Sequence, residues 1–308
     1  MSEYLEQTRK YTRGQYKYSL DCDKIKSNPD SLQILNGSVR AKHTIIMNAV
    51  SKEMNGKVVV KIGKTNEFIK QEYDVAKQLE TAGIDGFIRM QCLFSCGHDL
   101  TKYNNEIEPT TFKICEPTKT SNIDVLIMPY IVSPNGNATT LHNYLETGGD
   151  TIKYKTIIQN VISNLCEAFL KTGFVHKDLH FGNVLIDATG EPIIMDFDTS
   201  EFVNPAQSQA YFWSDIHRFF SHVIEKSYPT NLKSYSLTNA QPIFTIINTL
   251  LMAGTITKIN AQVHNIITLI NASDVLVIDN IPTKYVYNPN IFGGKIKRTK
   301  KNKRLYKL

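Results

Sequence analysis

Between residues 176 and 198 the chain reads His-Lys-Asp-Leu-His-Phe-Gly-Asn, then two short apolar runs, then Asp-Phe-Asp. This stretch constrains the fold more than any other. Val184-Leu185-Ile186, the turn Asp187-Ala188-Thr189-Gly190 and Pro192-Ile193-Ile194-Met195 are the arms and tip of a β-hairpin. Such a hairpin returns Asp196 to the side of Asn183, so that an amide oxygen and a carboxylate can serve one hard cation. Asp178 stands five residues before Asn183. Taken alone, Asp178 and Asn183 would also suit backbone bonds within a turn. The spacing on both sides of the hairpin favours chemistry instead. A group to orient a hydroxyl, together with oxygen ligands for magnesium, is what phosphoryl transfer asks of a protein.

The rest of the chain is long enough to support such a centre. Its 308 residues suffice for one large domain or two lobes with a sizeable core. Of 35 basic residues, eight lie in 291–308, which leaves 27 against 29 acidic residues elsewhere. The basic character is therefore a tail rather than a groove. The body gives no electrostatic reason to expect a nucleic-acid cleft. The tail itself suits acidic partners or non-specific nucleic-acid contact, and equally a solvated end. Residues 1–20 are polar, and no secretory signal is expected from them. The apolar run from Phe244 to Ile256 is too short and too polar to span a bilayer. Five cysteines, an odd number, do not read as a disulfide framework, and an intracellular, reducing compartment is expected. Cys92, Cys96, His98 and Cys115 could be drawn as a zinc site, but alternation along 88–96 places the cysteines in a core instead.

Read in order, the chain divides into an extension (1–30), a strand-rich part (31–131), a helical part (132–290) and the basic tail (291–308). The fold class expected is α+β. Leu32 to Met47 reads as a hairpin turning at Asn36-Gly37, with a second turn at Asn55-Gly56 and a strand at Val58–Ile62. A helix over 66–82 has Phe68, Glu72, Val75 and Leu79 on one stripe, with Ile69, Tyr73 and Ala76 beside it. Glu72 is thus a charge on the buried side. It needs a partner, and Lys61 on the preceding strand is the candidate. Strands are expected at 87–95 and 123–131 around a polar insertion at 97–122. A short helix follows within 139–149, then a long one from Thr151 to Thr172 ended by Gly173. Helices are expected throughout 215–275.

Together these pieces resemble the protein-kinase superfamily over about residues 30–275, most clearly over 174–198. The resemblance implies a two-lobed kinase-like fold and ATP- and Mg²⁺- (or Mn²⁺-) dependent phosphotransfer. By position, Asp178 would orient the acceptor hydroxyl, Asn183 and Asp196 would hold metal, Lys61 would contact phosphates and Glu72 would orient Lys61. Leu126 to Ile131 resembles the strand entering the inter-lobe hinge. Met128 would be the gatekeeper there, with the Pro129 carbonyl and the Ile131 N–H facing adenine. Gly37 would belong to the phosphate-covering loop. Asp215 resembles the aspartate that opens a central helix and ties down the catalytic loop.

The sequence departs from that pattern in four places. Asn36-Gly37-Ser38 carries a single glycine, and Asp-Phe-Asp replaces Asp-Phe-Gly. Only 16 residues separate Asp198 from Asp215, too few for the usual peptide platform and switch, and Lys177 replaces a frequent arginine. His180, in Asp-Leu-His-x-Gly-Asn, is similar to the loops of haspin-type kinases and aminoglycoside phosphotransferases. The tail and the Asn/Lys/Ile-rich style resemble serine/threonine kinases of large DNA viruses. A protein acceptor is favoured over a small molecule. A pseudokinase or scaffold, and a small-molecule kinase, are the alternatives.

Overall fold

The computed structural model describes residues 22–40, 44–51, 56–64, 67–100, 108, 112–116, 118–119, 121–134, 136, 138–146, 151–224, 234–253 and 258–278. Most of the expected extension, Asn55 and the basic tail lie outside these residues.

A short helix, α1 (Cys22–Ser27), leads into the strands β1 (Leu32–Arg40), β2 (Thr44–Ser51) and β3 (Gly56–Lys64). Helix α2 (Glu67–Thr81) follows, then β4 (Cys92–Gly97) and β5 (Asn122–Pro129). The five strands form one antiparallel sheet in the order β1-β2-β3-β5-β4. Side chains alternate between the faces of a strand, and that parity organises this half of the molecule. Val58, Val60 and Ile62 of β3 join Ile123, Val125 and Ile127 of β5 and Ile45 and Met47 of β2 in one buried cluster. Leu126 and Met128 of β5 belong instead to the core shared with the helices, and Val59 packs against that core. Lys61 has the parity of Val59, and it pairs with Leu126 across the sheet.

The second half is mainly helical. It contains α3 (Leu141–Glu146), α4 (Thr151–Thr172), the strand pair β6 (Phe174–Val175) with β9 (Glu201–Phe202), and the hairpin β7 (Val184–Ile186) with β8 (Pro192–Ile194). Helix α5 (Gln209–Ile224), β10 (Ser234–Leu237), α6 (Ala240–Ala253), α7 (Ile259–Asn271) and β11 (Val275–Ile278) complete it. The α4 stripe Ile158, Val161, Ile162, Leu165 and Phe169 is buried as its spacing predicts. Gly173 ends that helix at φ +77°, and a Cβ there would sit 1.8 Å from the Val203 carbonyl oxygen. Both the left-handed backbone and the close approach require glycine.

The expected α+β arrangement is observed, with corrections. Asn36-Gly37 is not a turn. Both residues lie inside β1 beside a bulge, opposite Asn48 and Met47, and the chain reverses after Arg40. Flanking alternation in β1 and β2 outweighed a common turn dipeptide. On α2 the buried stripe runs through Ile69, Glu72, Val75, Ala76 and Leu79, whereas Phe68 is exposed. The strand expected over 87–95 is shorter: β4 starts at Cys92, and Phe87 bridges Ile194 of the hairpin instead. The region 215–275 is not wholly helical, because β10 pairs with β11 across the helices. α5 begins at Gln209, so Asp215 lies inside it rather than at its opening.

The cysteines depart most from expectation. Cys22 pairs with Cys92, and Cys96 with Cys115, leaving Cys166 buried and free. An odd total concealed two pairs plus one core thiol. The first bridge ties α1 to the edge strand β4, and the second ties the end of β4 to Cys115 within the 97–122 insertion. Among the described residues no group of three or more His, Cys, Asp or Glu could hold a metal, so the zinc arrangement is absent there. His98 is buried with Nδ1 3.5 Å from Glu116.

Candidate active site

The loop between β6 and β7 is held by its neighbours rather than by its own propensity. Asp215 accepts the His176 amide at 2.6 Å and the Lys177 amide at 2.8 Å. The His176 carbonyl accepts the Thr199 and Ser200 hydroxyls, each at 3.2 Å, and the His176 Nε2–H donates to the Met195 carbonyl at 2.9 Å. Burial lowers the His176 pKa despite that bond, so the ring is neutral. Burial pushes Asp215 up to about 6, against the pull of the two amides it accepts.

Beyond this anchor the polar groups named from sequence converge. Asn183 is buried, and its Nδ2 donates to the Asp178 carbonyl at 2.9 Å. The Met195 amide donates to the Asn183 carbonyl at 3.0 Å, which is how the hairpin brings Asp196 back beside Asn183. Asp196 Oδ1 lies 3.2 Å from Lys61 Nζ, and Glu72 Oε2 lies 2.7 Å from the same nitrogen. The sheet, α2 and the hairpin therefore meet at one ammonium. Burial alone would lower the Lys61 pKa, but Glu72 and Asp196 outweigh it and the pKa is raised, so Lys61 is charged. Glu72 bears the cost of desolvation and is pushed up to about 7, with Lys61 pulling the other way.

Two of the three non-glycine residues with positive φ among the described residues are Lys177 (65°) and Asp196 (68°). Each such residue costs roughly 1–3 kcal/mol and persists only where its surroundings fix it. Lys177 is fixed by Asp215 at its amide, by Glu201 at 2.5 Å from its ammonium, and by the Tyr211 ring 5.5 Å beneath that ammonium. After Asp196, Phe197 is fully buried against Phe174 and His176, with ring centroids 5.9 Å away in both cases. Asp198 is raised by burial and by Asp196. Gln71 of α2 donates to the Ser200 carbonyl at 2.6 Å, which links the Glu72 helix to the segment after Asp198.

Asn183 and Asp196 suit a magnesium ion. Mg²⁺ is commonly held by one or two protein oxygens together with phosphates and water. Asn183 uses its N–H on the loop, which leaves its oxygen as the acceptor. Asp178 is half-exposed. Met128 is buried on the Lys61 side of the sheet, with Pro129 ending β5 and Ile131 buried just beyond. Gly37 is not brought to a loop tip and lies in β1.

Sequence reasoning missed Arg218. Its Nη1 donates to the Asp178 carboxylate and, at 2.9 Å, to the Lys177 carbonyl. The signal was present: Arg218 follows Asp215 by three residues, and helical residues so spaced share a face. The lysine-to-glutamate contact at Lys177 was missed too, because the partners come from separate elements.

A family model described as an ABC1 atypical kinase-like domain matches residues 110–228, less than half of the chain. The matched stretch runs from the insertion through β5, the loop at 176–183 and α5, and leaves out Lys61 and Glu72. No curated protein matches the chain. The match and the architecture agree: the chain has a two-lobed, kinase-like α+β fold.

Proposed function

We propose that the protein is an ATP- and Mg²⁺-dependent phosphotransferase acting on a hydroxyl acceptor, with a serine/threonine-type protein acceptor preferred. One observation carries this reading: Lys61 bridges Glu72 and Asp196 while Asn183 holds the Asp178 backbone. The lysine from the sheet and the oxygen donors from the hairpin thus sit together without any rearrangement. Lys61 would hold nucleotide phosphates, Met128, Pro129 and Ile131 would line the adenine, and Asn183 and Asp196 would hold the metal. When bound, the cation neutralises charge on the phosphates. Asp178 orients the acceptor hydroxyl and takes its proton as the oxygen bonds to phosphorus and the bond to ADP breaks.

The acceptor preference rests on the exposure of Asp178, whose side chain is half-exposed, and it stands without a peptide platform, because the short segment after Asp198 packs as β9 against β6. A pseudokinase or scaffold is the second reading, favoured by Gly37 lying within a strand instead of a glycine loop. The two disulfides suit folding in an oxidising setting, contrary to the reducing compartment expected from the odd cysteine count. Among the described residues no helix is long and apolar enough to cross a membrane.

The test is transfer from γ-labelled ATP, with Mg²⁺ or Mn²⁺, to generic protein acceptors and to aminoglycoside-type alcohols. Label should reach protein, and the Asp178→Asn, Asp196→Asn double variant should abolish transfer. Undiminished transfer by that variant would refute the assignment, and transfer to the alcohols alone would refute the acceptor preference. Nucleotide binding without transfer would favour the scaffold.

A further inference from the structure

We infer that Arg218 is a positioning residue for Asp178, so that α5 clamps the loop through Arg218 in addition to the Asp215 contacts already described. The inference rests on the phosphotransferase reading above. The two side chains grip successive groups of one strained turn. Asp215 takes the amides of His176 and Lys177, while Arg218 takes the Lys177 carbonyl and the Asp178 carboxylate. The Lys177 peptide, at φ 65°, is therefore held on both sides by residues one helical turn apart. Asp178 itself is half-exposed, and its carboxylate would otherwise be free to rotate in solvent.

Arg218 engages one oxygen, Oδ1, leaving the second for the acceptor hydroxyl. A planar guanidinium shared between a carbonyl and a carboxylate fixes direction as well as charge, which an ammonium does less well. Within the loop, His180 does not supply this cation. Its Nδ1 accepts the Gly182 amide at 3.0 Å, so that nitrogen is an acceptor and not a donor. Charge next to Asp178 thus comes from α5 instead of from the loop. During transfer the acceptor oxygen bonds to phosphorus, the ADP oxygen leaves with its electron pair, and the acceptor proton goes to the second Asp178 oxygen. Arg218 takes no proton and acts only through the carboxylate.

The experiment compares Arg218→Met and Arg218→Lys with wild type in steady-state transfer from ATP, and in hydrogen exchange over residues 176–179. Arg89→Met, at a surface pair with Asp85, controls for loss of charge alone. A misplaced catalytic group costs about 100-fold, so Arg218→Met should lower kcat by roughly that factor with the ATP KM within about threefold. Arg218→Lys should recover about tenfold of the loss. Added guanidinium should partly restore Arg218→Met but not Asp178→Asn. Exchange at 176–179 should speed up in Arg218→Met. A kcat within about threefold of wild type, or equal proportional changes in kcat and ATP KM at every Arg218 variant, would overturn the clamp. If Arg218→Met does not fold, Arg218→Lys decides: a kcat lowered about tenfold supports the inference and a wild-type kcat overturns it. Absence of turnover in wild type counts against the phosphotransferase reading alone. Exchange then judges Arg218 independently, with unchanged protection in the variants ruling the clamp out.

Discussion

Lys61 and Arg218 each bind a carboxylate of the same site from opposite halves of the molecule, and their surroundings differ. The Lys61 side chain is 13% exposed and Glu72 3%, whereas Arg218 and Asp178 are 48% and 45% exposed. The sheet half fixes its pair by burial: desolvation is severe, and only close contact with Glu72 and Asp196 offsets it. The helical half fixes its pair by backbone hydrogen bonds while leaving it wet. The buried pair is thus committed to one geometry, whereas the wet pair contributes little to stability and stays exposed to solvent.

The sharpest way to break this contrast is Lys61→Met. Removing one partner of a buried pair should destabilise the fold by about 2–4 kcal/mol in thermal or denaturant unfolding, eased because Glu72 can take up a proton. A change below about 0.5 kcal/mol would mean that the sheet half does not depend on its pair.

A similar effect is expected from the disulfides, both in the sheet half. Their loops span 70 and 19 residues. Chain-entropy reasoning puts their stabilisation at about 4 and about 3 kcal/mol. Non-reducing mass analysis of protein made under oxidising conditions should show four thiols fewer than after reduction, and Cys22→Ser should unfold earlier. Five alkylatable thiols in the oxidised protein would contradict the pairing.

How much of this was legible beforehand follows the same division. The hairpin and the α4 stripe were readable because local period, turn and chemistry agree there. Glu72 was readable as a buried acid because its spacing placed it inward, and Lys61 followed as its partner. Phe68, Gly37 and the cysteine pairs were misread for one reason. Tertiary neighbours decide which side of a helix is covered, where a strand turns and which thiols meet, and a single sequence shows none of these. Arg218 was missed because its role depends on a loop 40 residues away in sequence.

On the helical side, His222 provides a subtler test. Burial, with His180 and His142 nearby, lowers its pKa to about 4. The unfolded chain therefore binds a proton that the fold excludes between about 4 and 6.5. Stability should rise with pH across that window and fall as acid is added. His222→Phe, beside Phe181, should flatten that limb by on the order of 1–2 kcal/mol in pH-dependent unfolding. An unchanged limb would assign it to other groups.

The smallest effect sharpens the comparison most. Arg218→Met should change unfolding stability by less than about 1 kcal/mol, because its pair is exposed. A loss comparable to that of Lys61→Met would make the two pairs structural equivalents and remove the contrast.

The central claim is that the hairpin is a phosphotransfer centre whose Asp178 acts on the acceptor. Single-turnover transfer from γ-labelled ATP with saturating Mg²⁺, comparing wild type with Asp178→Asn, tests it most directly. The account predicts a rate lowered by about 10²–10⁴ with ATP affinity little changed. Equal rates in the two proteins would contradict it.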